Sequence, residues 1–392
     1  MTNATTDNHY DVAILGGGTI GLSAAYYAAA AGHKTVLFEQ NAFYNDKGSS
    51  DGYSRMFRIM YSEENMAMLA ESSLALWREM EDETGVTLLK RNGLLFYGLA
   101  GASVEGDLHQ CQHVMSDLGI PYQRYERDEL LRAYPVFRDL PADYIGLNQP
   151  SSATTEVQQS LRTFHDAAIA KGARLLDHCK ATIVNPTPGT RTYTIETEQG
   201  RFTADSLIMS PGAWSNTVFA PFGVQLDLQI WQMNVAYFKV DPTQEWPMWF
   251  EFGPTVGGVQ QQFYGFPPFE RPGYIKVSCE FTDQHYTDPR QCSYQPSPYV
   301  LGQLSEFVGK RFKGVEPVAH DPSTCLYTMS ADGQMVLDTL PGYPNVAVLT
   351  GESGRAFKFT PLFGRILTQL ATTGRTPYDI AEFSINRPGI LK

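Results

Sequence analysis

Near its N-terminus the chain carries Gly16-Gly17-Gly18-Thr19-Ile20-Gly21. Glycines make turns everywhere, so this GxGxxG pattern constrains little by itself. Its flanks constrain a great deal. Tyr10 to Leu15 is an apolar, β-branched run with the character of a buried parallel strand, and Leu22 to Ala31 is alanine-rich without a breaker until Gly32. Lys34 to Glu39 is a second strand-like run, so the segment reads as strand, tight turn, helix, strand. In that setting Gly16, Gly18 and Gly21 let the backbone approach a pyrophosphate, and the helix opening at Thr19 and Ile20 turns its N-terminus toward it. Glu39 stands 18 residues after Gly21 and is followed by Gln40. A carboxylate there accepts hydrogen bonds from ribose hydroxyls and repels a 2′-phosphate, which disfavours NADP. The bland alternative is a generic strand–helix turn followed by a surface glutamate. The fingerprint alone leaves FAD and NAD both open.

Farther along, Glu63 to Thr84 predicts an amphipathic helix with Leu69, Leu76, Trp77 and Met80 as its apolar stripe. Leu88 to Gly98 reads as a strand entering a different unit. Glu156 to Gly172 is a second helix, leading to a strand at Ala173 to Leu176. Arg191 to Glu196 and Gly200 to Ala204 suggest a hairpin around Gln199-Gly200, with a separate buried strand over Ser206 to Ser210. From about Leu226 to His320, aromatics and prolines are dense and alternation is common, which predicts a mostly β unit. Val346 to Thr350 then reads as a strand, Gly351 to Gly354 as a turn and Pro361 to Thr373 as a helix. The expected fold class is α/β. A discontinuous Rossmann-like cofactor domain (1–88, 150–225 and 320–392) would carry an inserted β-rich substrate domain (89–149 and 226–319).

Composition narrows the function classes. The 392 residues bear a formal net charge of −12, which repels nucleic acid and anionic membranes. No apolar run approaches the roughly 18–20 residues that span a bilayer. Met1 to Tyr10 has the features of neither a signal peptide nor an anchor, so a cytoplasmic location is expected. The five cysteines, Cys111, Cys179, Cys279, Cys292 and Cys325, are scattered, with no CxxC pair and no histidine at ligand spacing. A disulfide framework or a metal site is not expected, and by chemistry alone each is a small buried hydrophobe.

Several spaced motifs resemble the monomeric sarcosine oxidase family, in the D-amino-acid-oxidase-like group of flavoproteins. They are Gly48-Ser49-Ser50-Asp51-Gly52-Tyr53-Ser54-Arg55-Met56-Phe57-Arg58, Gly212-Ala213-Trp214, Tyr264-Gly265-Phe266-Pro267, Cys325-Leu326-Tyr327-Thr328, Gly351 through Phe359, and Phe383-Ser384-Ile385-Asn386-Arg387-Pro388. The resemblance runs over nearly the whole chain. It implies FAD rather than NAD, joined through the sulfur of Cys325 to the flavin 8α position. It further implies that Arg58 and Lys358 grip a substrate carboxylate, an arrangement suited to a guanidinium fork and a point charge. Arg55 would lie beside the flavin ring, and Lys276, displaced by a one-residue insertion in the Pro268 to Gly273 loop, would be the oxygen-activating lysine. Tyr61, Tyr264 and Tyr327 would surround the substrate amine. Ser54, Ala181, Gly212, Trp214, Gly354 and Arg355 complete the implied cofactor contacts.

The pattern departs from the family at three histidine positions, where this chain has Asp51, Arg355 and Glu280. That change puts sarcosine itself in doubt. Phe43-Tyr44-Asn45, Trp249-Phe250 and the run from Phe357 to Arg365 are similar to a relative that oxidises a cyclic imino acid, a dehydropipecolate, in nikkomycin biosynthesis. The expected activity is therefore FAD-dependent oxidation of a secondary amine or N-methyl amino acid to an imine, with O2 reduced to H2O2, in a monomer. The alternatives are oxidation or desaturation of a cyclic imino acid, an NAD-dependent dehydrogenase, and a non-catalytic flavin-binding module.

Overall fold

In the computed structural model, which describes residues 8–101 and 106–392, two large sheets dominate. The stretch before residue 8, part of the polar N-terminal run, lies outside the described residues. The first sheet has a parallel core in the order Arg174–Leu176, Thr35–Phe38, His9–Leu15, Gly200–Met209, Tyr343–Thr350. Val12, Ile14, Val36 and Leu37 have no exposure at all, as a parallel sheet covered on both faces requires. The expected helix spans Thr19–Ala30 and starts within the glycine turn itself. It packs against the helix Thr360–Thr373, which has Pro361 in its first turn and ends at the left-handed Gly374. Thr19 Oγ1 and Thr360 Oγ1 lie 3.1 Å apart across that contact.

The helix Glu64–Thr84 buries Leu69, Leu76, Trp77 and Met80, the predicted stripe. Trp77 Nε1 and Ser73 Oγ each donate to the Lys358 carbonyl at 2.8 Å, so this helix fixes the backbone at Lys358. The hairpin forms between Tyr193–Thr197 and Gly200–Met209. Its second strand does not stop at Ala204, however. It continues through Met209, pairing with Tyr193–Thr197 along its first half and with Tyr343–Thr350 along its second. The two strands expected there are one, because polar Asp205 sits at a change of partner and not at a turn.

The second sheet has nine strands and includes Leu94–Gly98, Ile145–Gln149, Leu228–Lys239, Trp249–Val256, Val259–Phe266, Tyr274–Cys279 and His320–Ser330. The strand-like stretch Leu88 to Gly98 is broken. Leu89–Lys90 joins a small sheet with Ser54–Phe57 and Ala153–Glu156, and only Leu94–Gly98 enters the large one. His320–Ser330, grouped by sequence with the cofactor segments, instead pairs along Leu228–Lys239. One face of this sheet is closed by the helix Pro298–Arg311, through a core that includes Tyr97, Trp249, Phe263, Ile275 and Val277. Because strand side chains alternate with period two, the neighbours of these residues face the opposite way, toward the first sheet.

Candidate active site

Two cavities adjoin. The first, about 420 Å³, runs from the tips of the parallel strands. Gly16, Gly18, Thr19, Ile20, Glu39, Gln40, Ala181, Gly212 and Trp214 all line it. Gly21 does not. Its place is structural: a Cβ there would stand 1.9 Å from the Gly16 carbonyl oxygen, so only glycine permits this close turn. Glu39 is buried and its two oxygens accept from the N–H groups of Gly17 and Asn41, each at 2.8 Å. Burial pushes its carboxyl above the ordinary range, opposed by the backbone N–H donors of Asn41, Gly17 and Gln40.

These features test whether the cavity fits a dinucleotide. The helix N-terminus at Gly18 has no side-chain cap, the turn is passable only to glycine, and a carboxylate closes the far end. Ser210, Thr328 and Glu352 line the cavity, and their Oγ, Oγ1 and Oε2 atoms are buried with no hydrogen-bond partner within the protein. Buried polar groups are costly unless satisfied, so the wall requires a polar occupant. The residues present fit FAD.

The second cavity, about 1170 Å³, opens beneath the large sheet. Period-two alternation paves it: Phe96, Phe250, Tyr264, Phe266, Lys276, Cys325 and Tyr327 come from five strands. Phe250 and Tyr264 stack with centroids 5.9 Å apart, and the hydroxyls of Tyr264 and Tyr327 lie 3.4 Å apart. Arg55, Tyr327, Gly354 and Phe357 line both cavities and so form their junction. Gly354 is left-handed (φ 76°), and a Cβ on it would meet the Tyr327 ring at 2.4 Å. Ser54 and Arg355 face the second cavity.

The candidate cations converge here. Arg58 is 6 % exposed and Lys358 7 %. They are 300 residues apart in sequence, yet both lie over the Tyr61 ring, with Arg58 Cζ at 4.2 Å and Lys358 Nζ at 6.0 Å from its centroid. Arg58 donates to the Met60 carbonyl and Lys358 to the Arg355 carbonyl, at 3.0 and 2.9 Å. Tyr61 itself is 2 % exposed and lines neither cavity. Its ring lies beneath the two cations. Arg55 donates to the carbonyls of Ser54, Ser49 and Asp51, at 2.7–2.9 Å, which holds it at the junction.

Cys325 lines the second cavity. Burial pushes its thiol up, while Arg55 and Lys276 pull it down. Lys276 Nζ donates to Ser54 Oγ at 3.0 Å and to Glu270 Oε1 at 3.1 Å, with both charged side chains under 10 % exposed. Burial lowers the lysine's pKa and Glu270 opposes that. Tyr237 OH donates to the other Glu270 oxygen. Sequence reading passed over Glu270, although the inserted residue in its loop pointed to it. Ser210, Thr328 and Glu352 were missed as well, the last two from within quoted motifs. Among the described residues no cluster of His, Cys, Asp and Glu forms a metal site, and no helix is long and apolar enough to cross a membrane.

Comparison with known proteins decides the class. The family described as FAD dependent oxidoreductase matches residues 11–370. The chain belongs to that family. It is 29 % identical to monomeric sarcosine oxidase of Bacillus sp. (strain B-0618) over 388 residues, covering 97 % of each chain. It is also 29 % identical to the peroxisomal sarcosine oxidase of Homo sapiens, covering 96 % of each. Among solved structures, the open form of NikD, an unusual amino acid oxidase essential for nikkomycin biosynthesis, superposes with a TM-score of 0.87 at 28 % identity. That match covers 96 % of this chain and 97 % of the other. The family assignment makes this protein an FAD-dependent oxidoreductase and removes the NAD-dependent alternative.

Proposed function

We propose that this flavoprotein oxidises the C–N bond of a carboxylate-bearing secondary amine or N-methyl amino acid to an imine, with O2 as the electron acceptor and H2O2 as product. The observation that carries this reading is the pair of buried cations, Arg58 and Lys358, at the edge of an aromatic cavity that joins the dinucleotide cavity. A guanidinium fork and an ammonium brought together at the edge of an aromatic cavity suit a substrate carboxylate. Tyr264 and Tyr327 offer hydroxyls and ring faces to the amine. FAD, when bound, supplies the two-electron acceptor for the amine's C–H and passes the electrons to O2. The protein's share is positioning: the carboxylate clamp and the aromatic wall orient the C–H and exclude water. Lys276 holds a proton at Nζ beside the oxygen site, Arg55 holds a positive charge at the junction, and Cys325 is the point of covalent attachment.

A second reading, oxidation of a cyclic imino acid, is supported by the structural likeness to NikD, an unusual amino acid oxidase, together with the Trp249-Phe250 and Phe357 to Arg365 runs. The working domain division is 1–88, 150–225 and 320–392 for the cofactor and 89–149 with 226–319 for the substrate, with the strand His320–Ser330 joining the substrate sheet, in a cytoplasmic monomer. An H2O2-coupled screen of N-methyl and cyclic secondary amino acids, run beside their methyl esters, tests the proposal. Turnover of the acids is expected, with strong loss on esterification. Esters that turn over as fast as acids would move the assignment to a simple amine oxidase.

A further inference from the structure

The turn at 351–354 is conformationally demanding. Gly351, Ser353 and Gly354 all adopt left-handed backbone, with φ of 61°, 48° and 76°. A left-handed serine is uncommon and needs support. Here Ser353 N donates to the Thr328 carbonyl at 2.9 Å, Ser353 Oγ donates to the Gly351 carbonyl at 3.0 Å, and Ser330 N donates to that Oγ at 3.3 Å. Met329 and Glu352 form an isolated bridge in the same seam. The turn is thus fastened to the strand that carries Cys325 and Tyr327, and the fastening directs Glu352 into the dinucleotide cavity near its junction with the reactive one. Glu352 Oε2 is buried there without a hydrogen-bond partner, and so is Thr328 Oγ1 two positions along the adjoining wall from Leu326.

A buried carboxylate without a compensating cation is unfavourable, so the neutral form persists to higher pH than in water. Burial raises this carboxyl to about 7, and only its own backbone N–H opposes the shift. The ionisable groups on the segments around it are Cys325 and Tyr327 on the strand, Arg355 on the turn and Arg55 at the junction; Glu39, Lys180, Asp288 and Arg290 also line its cavity, and burial rather than any of these charges sets its shift. Both the thiol and the phenol are held up by burial, hence neutral, and Arg355 faces the second cavity. A protonated carboxyl is a donor, and the protein presents it with no acceptor.

We propose that Glu352 is a cofactor-contacting residue: a neutral carboxyl that donates a hydrogen bond to an acceptor atom of the bound FAD where the two cavities meet, and so favours the reduced cofactor. The inference rests on the FAD reading and adds to it a residue that nothing in the dinucleotide fingerprint supplies. A neutral acid kept as a donor by an apolar site is an established device for stabilising developing negative charge.

The test is spectroelectrochemical. The midpoint potential of the holoprotein, of Glu352→Gln and of Glu352→Leu is measured from pH 6 to 9, with visible spectra and flavin content. In the wild type the potential should fall more steeply with pH above about 7, as Glu352 loses its proton. Glu352→Gln retains a donor that cannot ionise, so it should keep the potential and lose the extra pH response. Glu352→Leu should lower the reduction equilibrium about tenfold, near 30 mV for a two-electron couple. A yellow Leu variant with wild-type potential, or a Gln variant with the wild-type pH response, would overturn the proposal while leaving FAD in place. A colourless wild-type protein would overturn the FAD reading and this inference together.

Discussion

Replacing Glu270 by Gln separates the two halves of the reaction by electrostatics alone. Lys276 Nζ and Glu270 Oε1 are 3.1 Å apart, and both side chains are almost fully buried. At an effective dielectric of about 20, the attraction between unit charges at that distance is roughly 5 kcal/mol, and desolvation offsets much of it. Removing one partner of such a pair costs about 3–5 kcal/mol, because the other charge is left buried. The cheaper response is for Lys276 to release its proton, since burial and Arg55 already depress its pKa and Glu270 is the group that raises it. The sign follows from linkage. In Glu270→Gln the folded state binds fewer protons than the unfolded chain between the depressed lysine value and the ordinary one, so stability rises with pH across that window. The melting deficit of the variant should therefore shrink as pH increases. Stopped-flow reoxidation by O2 should be slower than in the wild type and recover as pH is lowered, because a protonated Lys276 returns. Anaerobic flavin reduction by substrate should change much less. A variant whose reoxidation matches the wild type at every pH, or whose melting deficit grows with pH, would refute the assignment of Lys276 and its counter-ion.

Four further expectations use other parts of the protein. Lys358→Ala should weaken binding of small carboxylates, followed by perturbation of the flavin spectrum, by about tenfold to a hundredfold, the worth of one charged hydrogen bond; binding of an uncharged amine should be spared. Mass spectrometry of the denatured protein should find FAD mass on the peptide containing Cys325, and Cys325→Ser should release its flavin on denaturation. Gly21→Ala, whose Cβ would meet the Gly16 carbonyl at 1.9 Å, should lose flavin content and melt lower. Gly302→Ala, exposed in the helix Pro298–Arg311 with nothing within 4 Å of the added carbon, should instead gain about 0.5–1 kcal/mol.

What could be read in advance divides by the range of the interactions involved. The fingerprint was legible because its parts are local: Gly16, Gly18, Gly21 and Glu39 fall within one strand–helix–strand unit, and each answers to backbone geometry. The stripe on Glu64–Thr84 was legible for the same reason, since one helix face carries it. Helix Leu108–Asp117 was not anticipated, although Asp107 caps it by accepting from the N–H groups of His109 and Gln110; its ten residues offer too short a pattern to stand out. The continuity of Gly200–Met209 depends on which strands lie beside it, and no local signal reports that. Similarity to relatives brought Arg58 and Lys358 into one frame, and the structure adds that the Tyr61 ring is the floor under both cations. Glu270 lies in a loop outside the quoted motifs, and Glu352 lies inside one without a role attached to it. Glu270 draws attention by its buried ion pair with Lys276, and Glu352 by an oxygen buried without a hydrogen-bond partner.

The position of Cys325 shows why the two sheets must be read together. Its strand, His320–Ser330, belongs to the large sheet by nine paired residues with Leu228–Lys239. The chain then returns to the parallel sheet through Val336–Leu340 and Tyr343–Thr350. The turn that follows folds back onto the strand, through Ser353 N to the Thr328 carbonyl. Ser49, in the loop that also supplies a carbonyl to Arg55, donates to the Leu326 carbonyl from the opposite side. Cys325 is therefore held between a segment of the cofactor-binding sheet and the loop bearing the junction arginine. A ligand bound at its sulfur would be fixed relative to the glycine turn and the carboxylate clamp at once. That fixity is what a reaction governed by the distance between a substrate C–H and a flat acceptor demands. It also explains why the motif around Cys325 and the turn at 351–354 are best understood as one unit, though 26 residues separate Cys325 from Gly351.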